Sequence, residues 1–162
     1  MSQRSAPPQG WLEVRTDPPA APAGRYAVLH GPACRTTAAL FAEFARALRL
    51  PAWFGHNWDA LADCLRDLTD DAGQPGLPPG PAVAPGPGGG PGPDRSAAQP
   101  FMLVVTDAQE LLAGAGPGPL RALLAVLTEL AGRPAGLRVR LHCPAADAGA
   151  LRGRLSEDPQ QY

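Results

Sequence analysis

The sequence contains no lysine; its fourteen basic residues are all arginine. A phosphate-binding loop of the Gly-Lys-Ser/Thr kind is therefore excluded. Long apolar runs are missing too: no stretch approaches the roughly 20 residues a membrane-spanning helix requires. The opening residues, MSQRSAPPQG, lack the apolar core of a secretory signal. Cysteine is scarce and odd in number. Cys34, Cys64 and Cys143 stand at no metal-ligand spacing, so buried free thiols in a reducing compartment are the expected state. A cytoplasmic location without membrane contact follows as the expectation, and no cofactor or metal is implied. Strong net charge is lacking as well: 15 acidic residues face 14 basic ones, a balance of −1. That argues against broad binding to nucleic acid.

Proline and glycine, at 21 and 19, make up about a quarter of the 162 residues, close to the level that signals disorder. They concentrate between residues 72 and 100, where GQPGLPPGPAVAPGPGGGPGP shows no apolar period. Such a segment cannot bury enough surface to offset its ordering, so a flexible insertion is expected there. Gly86–Gly92 lacks the strand-to-helix setting of a phosphate cradle. Residues 1–23 hold five prolines and read as a flexible tail, although Trp11–Val14 has strand-like alternation. One domain over 24–143, interrupted at 72–100 and followed by a C-terminal extension at 144–162, is the organisation expected.

The remaining stretches alternate in type. Arg25–Leu29 reads as a strand ending at the turn His30-Gly31-Pro32. Thr36 or Thr37 can cap a helix through Leu48, with Leu40, Phe41, Phe44 and Leu48 at helical spacing. Phe101–Val105 is a continuous apolar run, suited to a buried parallel strand. A short helix is expected over Asp107–Leu112. A longer one follows Pro119, with Leu120, Leu123, Leu124, Leu127 and Leu130 on one face. Leu137–Cys143 alternates as an edge strand would, and one further helix is expected around Asp147–Leu155. Strands separated by helices imply an α/β fold with a small parallel sheet, three strands packed with about four helices.

The most informative stretch is Pro51–Leu68, PAWFGHNWDALADCLRDL. Asn57 is a good N-cap for a helix beginning at Trp58. At about 100° per residue, Trp58, Leu61, Cys64, Leu65 and Leu68 fall on one side, and Asp59, Asp63 and Asp67 fall together on the other. Like charges at that spacing repel by roughly 0.2–0.5 kcal/mol per pair; only Asp59 is near enough to the helix N-terminus to recover part of that cost. A stripe that weakens its own helix suggests a use outside it. Charge is unevenly spread in the same sense: residues 24–50 carry net +3 and residues 51–71 net −4. One acidic patch on a neutral chain fits a basic partner. Upstream, Trp53-Phe54-Gly55-His56 reads as a tight loop after Pro51, with Gly55 taking a backbone conformation other residues resist.

In the order Leu50-Pro51, an aromatic pair, Gly55, Asn57, Asp59-Ala60-Leu61 and Asp63-Cys64-Leu65, this stretch resembles the barstar family of ribonuclease inhibitors. The resemblance runs back to about Arg25 and, more weakly, forward through Phe101–Thr106 and Leu137–Cys143. It implies a free monomer that plugs the active site of a basic, barnase-like ribonuclease or related protein toxin. Its acidic helix would stand in for RNA phosphates, without direct contact to nucleic acid. Carried over residue by residue, it places partner-binding roles on Trp53, Gly55, Asn57, Asp59 and Asp63, with Asp63 deepest. Trp58 and Ala62, which stand where the family has a leucine and a tryptophan, and Asp67, which continues the stripe, are counted as partner-binding candidates with them. Glu129 is the nearest candidate for a glutamate that the family uses on its last helix, although gap-free alignment puts Leu130 there.

An enzyme is the competing class. His56 beside Asp59 and Asp63 has no nucleophile or ligand set with it and reads as a polar loop residue. His142 and Cys143 are adjacent on a strand and point to opposite faces. No catalytic residue is assigned, and the chain is read as a non-enzyme. The alternative within the binding class is a barstar-fold scaffold that inhibits nothing. Exposure separates the two: an inhibitor shows Trp53, Asp59 and Asp63 together, whereas a scaffold can bury Trp53 and Trp58.

Overall fold

The computed structural model describes residues 10–22, 24–70, 100–133 and 136–156. Of the insertion expected at 72–100, residues 72–99 lie outside that set, as do the first nine residues. Four strands, β1 (Leu12–Arg15), β2 (Tyr26–His30), β3 (Phe101–Thr106) and β4 (Leu137–His142), form one parallel sheet in the order β1-β4-β3-β2. Four helices complete the α/β fold: α1 (Thr37–Leu48), α2 (Trp58–Asp70), α3 (Pro117–Ala131) and α4 (Ala145–Ser156).

Local chemistry accounts for the boundaries. The Thr36 hydroxyl accepts from the Ala39 backbone N–H at 3.2 Å and starts α1. At its other end Arg49 turns left-handed, with φ of 49°, one residue ahead of the Leu50-Pro51 pair that cannot continue a helix. The expected helix at Asp107–Leu112 shrinks to a single 3-10 turn at Ala108–Glu110, because Asp107 adopts φ of 48°. Gly31 lies against this turn, where a Cβ would collide with the Asp107 carbonyl oxygen.

The register gives each sheet row a face. Leu12, Val139, Leu103 and Ala27 lie in one row, and Val14, Leu141, Val105 and Leu29 in the next row on that face. These rows meet Leu40 and Phe44 of α1, Leu61 and Leu65 of α2, the predicted leucines of α3, and Leu151 and Leu155 of α4 in one core. On the opposite rows stand Tyr26, Met102 and Arg138, then Val28, Val104, Arg140 and Glu13.

Two expectations are corrected here. The sheet has four strands rather than three, because Leu12–Arg15 pairs with β4 and is not tail. Trp11, buried in the core, anchors it. The Val139 N–H donates to the Trp11 carbonyl at 2.7 Å. For the same reason β4 is an interior strand, not an edge; its arginines lie on the sheet face away from the main core, beside Met102, Val28 and Val104, and Arg140 reaches Glu13 at 3.6 Å. The helix expected around Asp147–Leu155 is α4, and it packs on the domain: Ala148, Leu151 and Leu155 enter the core, and the Arg154 guanidinium donates to the carbonyls of Gln109 and Leu111.

One buried charge is fully partnered. Glu43 accepts from the His30 backbone N–H at 3.1 Å and from Arg46 at 2.7 Å. The Arg46 hydrogen bond holds the Glu43 carboxyl below its ordinary range. A lowered folded-state pKa gives stability that is present above the unfolded value and lost as pH falls through the folded one. Glu43→Gln is therefore expected to be less stable than the parent at pH 7, with the gap closing below about pH 4; urea midpoints at several pH values check this. Trp11→Ala should cost roughly 3–5 kcal/mol, as for other buried aromatics. A loss under about 1 kcal/mol in urea unfolding would mean that β1 contributes little to the fold.

Candidate functional site

The acidic helix starts as its sequence dictates. The Asn57 side-chain oxygen accepts from the Ala60 backbone N–H at 2.8 Å, and its amide donates to the Gly55 carbonyl at 3.3 Å. One side chain thus caps α2 and fastens the preceding loop to its first turn. Gly55 is not the left-handed residue of that loop; His56 is, with φ of 49°. What Gly55 supplies is room, since a Cβ there would lie 2.8 Å from the Asn57 amide nitrogen. Within the turn, the Phe54 N–H donates to the Pro51 carbonyl at 2.9 Å.

Adjacent aromatic residues part company in this loop. Phe54 is buried against Phe41 of α1, ring centroids 6.3 Å apart and edge to face. Trp58 packs on the same Phe41 ring at 4.9 Å, also edge to face. Such pairs add about 0.5–1.5 kcal/mol beyond area burial, and they fix the loop and the start of α2 to α1. Trp53, in contrast, is 74 % exposed and is the one exposed large apolar side chain among the described residues.

Along α2 the expected phase holds. Leu61, Cys64 and Leu65 are buried and Leu68 packs against the core, while Asp59, Asp63 and Asp67 are all exposed. Asp59 lies in the first turn, where the helix dipole favours it. Ala62 is only 8 % exposed, so it offers a partner little surface. Trp58 is half-buried on Phe41 and serves packing first. These two candidates lie inward of the acidic face because they share the helix side occupied by Leu61 and Leu65.

The structure adds a residue that the sequence reading counted only as a charge. Arg66 donates to Asp63 Oδ1 at 2.7 Å through Nη1, and to Glu129 Oε1 at 2.7 Å through Nη2 and 3.3 Å through Nε. One guanidinium therefore joins α2 to α3, which pack side by side. The hydrogen bond to Glu129 raises the Arg66 pKa above its ordinary value. Leu130, which gap-free alignment had put in the glutamate position, is buried; Glu129 is the α3 residue that reaches the acidic face. The Asp63–Arg66 half of this link was visible as an i,i+3 pair. The Glu129 half needed the packing of two helices.

Other groups do different work. All three thiols are buried, and burial pushes Cys34 up to about 12 and raises Cys64 and Cys143, so none is held as a nucleophilic thiolate. Among the described residues no three His, Cys, Asp or Glu side chains are grouped to hold a metal, and no helix is long and apolar enough to cross a membrane. A groove of about 430 Å³ lies between Leu112 and the start of α3, lined by residues of neither the loop nor α2.

Comparison with protein families finds a match over residues 25–78 to Barstar (barnase inhibitor). This segment is barstar-like. The match takes in β2, α1, the Trp53 loop and α2, about a third of the chain, and it is the part that carries the exposed tryptophan and the acidic face. Comparison with curated proteins gives no match.

Removal of the cap tests how the site is held. Asn57→Ala should cost about 0.5–2 kcal/mol of stability. It should also raise hydrogen exchange at Ala60 and in the 53–57 loop more than in β3. Equal effects on both regions would show that Asn57 does not specifically hold the loop.

Proposed function

We propose that this chain is a barstar-like inhibitor that binds a basic ribonuclease, or a related protein toxin, in the cytoplasm and covers its active site. The observation that carries the reading is the exposure of Trp53 immediately before a helix whose outer face shows Asp59, Asp63 and Asp67. An exposed tryptophan is costly in water and is enriched at the centre of protein interfaces. Carboxylates on a fixed helix suit a site built to hold RNA phosphates with Arg and Lys, since they present anionic oxygens to the same cations. The family match over the same segment supports this class of function.

No catalytic role is required of the chain in this mechanism. Asp63 meets the enzyme's cations at the centre, Asp59 meets them near the helix start, and Trp53 fills a recess beside them. Asp67 and Glu129 lie toward the rim. Gly55 and Asn57 act by shaping the loop. A scaffold of the same fold is the second reading, favoured by the buried Ala62, where the family's tryptophan would offer contact area.

The test is inhibition and binding kinetics against a barnase-like ribonuclease. Asp63→Ala should cost roughly 2–5 kcal/mol of binding, mostly as faster dissociation, because the enzyme's cations are left enclosed without a counter-charge. Asp67→Ala should chiefly slow association and weaken its salt dependence. Stability of free Asp63→Ala should change by no more than about 1 kcal/mol, the limit for an exposed ion pair. Tight binding that leaves the ribonuclease active would favour the scaffold reading. Unchanged binding by Asp63→Ala together with loss in Asp67→Ala would rule out active-site plugging.

A further inference from the structure

The groove between Leu112 and the start of α3 is lined by two kinds of residue. Leu112, Leu120 and Leu124, all buried, give it an apolar floor, and Arg121 and Arg154 line it with them. Its volume of about 430 Å³ falls in the roughly 300–1,000 Å³ range of ligand sites. Gly116 also lines it, and a Cβ built there would meet no atom of the described residues within 4 Å, so the groove is open on that side. Arg154 stands in the last turn of α4. Its Nη1 and Nη2 donate to the carbonyls of Gln109 and Leu111 at 3.1 and 2.8 Å. Those bonds hold the end of α4 beside the groove, and because the acceptors are neutral they leave the guanidinium its positive charge. The helix stops just beyond, at Ser156.

The next six residues, Glu157-Asp158-Pro159-Gln160-Gln161-Tyr162, lie outside the described set. We propose that they form a strap that docks in this groove, with Glu157 and Asp158 toward Arg154 and Arg121 and the Tyr162 ring over Leu120 and Leu124. Charge favours this occupant. Two carboxylates directly after a helix C-terminus meet the negative end of its dipole, and the arginines beside the groove offset that cost. Proline supplies direction, since the residue before Pro159 avoids the helical region and the chain leaves the axis of α4. Tyrosine supplies the fit, an apolar ring for the leucine floor with a hydroxyl for the polar rim. Six residues reach up to roughly 20 Å, ample for a groove that Arg154 already borders. A link this short gives the tail an effective concentration on the order of millimolar, so contacts too weak to hold a free partner suffice to hold the chain's own segment. The strap is independent of the ribonuclease reading, which uses other elements.

The experiment is methyl and aromatic NMR on the full chain and on a variant ending at Ser156. In the full chain, nuclear Overhauser contacts should join the Tyr162 ring to the Leu120 and Leu124 methyls. In the shortened variant those methyls and Leu112 should shift, while Leu61 and Leu65 should not. Tyr162→Ala in the full chain should shift the same three groove leucines. The free peptide Glu-Asp-Pro-Gln-Gln-Tyr, added at millimolar concentration to the shortened variant, should move them back toward their full-chain positions, and less so as salt rises. Arg121→Glu should weaken that peptide about two- to fivefold, the scale of an exposed ion pair, and a peptide carrying Glu157→Arg should recover the loss. Groove leucines unmoved both by the shortening and by Tyr162→Ala would overturn the proposal. So would contacts from Tyr162 that appear only between separately labelled chains, since the occupant would then be a second copy.

Discussion

Burial of Leu61 and Leu65, each without exposed surface, sets the rotation of α2, and every feature of the acidic face depends on that rotation. A helix with two leucines pressed into a leucine-rich core cannot roll without exposing them. Each leucine contributes about 1.5–3 kcal/mol of burial, far more than the roughly 0.2–0.5 kcal/mol of repulsion that each pair of stacked aspartates costs. The core therefore wins, and the aspartates point outward whether or not their mutual charge is favourable. Phe41 extends the constraint to the loop, because it takes Phe54 and Trp58 on the same ring. With those two rings seated, and with Asn57 tying Gly55 to Ala60, Trp53 has no apolar neighbour left to cover it.

Electrostatics then modifies what packing has fixed. The repulsion along α2 is relieved at two places by different means: Asp59 by the helix N-terminus, and Asp63 by Arg66. Asp67 has neither aid among the contacts of the described residues. Since Arg66 also holds Glu129, relief of the helix's own repulsion and attachment of α2 to α3 come from one side chain. An exposed network of this kind adds little to stability. Its larger effect is order, because the Asp63 and Glu129 side chains lose rotamer freedom when Arg66 holds them.

How much of this was legible in the sequence follows from which interactions are local. The cap at Asn57, the phase of α2 and the apolar face of α3 depend on residues within a few turns of one another, and they stand where the spacing put them. The fourth strand did not read clearly because four residues of alternation, flanked by prolines, give a weak signal. What makes Leu12–Arg15 a strand is an open edge of β4, 120 and more residues later in the chain. The mistaken edge position of β4 has the same origin, since alternating arginines show which side of the strand faces away from the main core and say nothing about neighbours. Glycine was also overread at position 55. The left-handed residue is His56, and Gly55 leaves room for the Asn57 amide. The Glu129 contact lay beyond sequence reasoning altogether, being set by how α2 and α3 pack.

The family resemblance and the physical reading cover the same ground for a reason. The matched segment, residues 25–78, includes β2, α1, the loop and α2, and so contains Phe41 together with the two rings, Phe54 and Trp58, that pack on it. A surface of this kind needs its supporting half-core more than it needs any one contact residue. Ala62 is buried and Trp58 packs on Phe41, both on the inner side of α2, while the aspartates stay outside. Substitutions on the supporting side alter packing locally, whereas changes on the outer side, such as an arginine at 66, alter the charge pattern of the face. The strain between those two demands is low because they act on opposite sides of a single helix. The scaffold can therefore keep its acidic face in place while the charge pattern upon that face is redrawn.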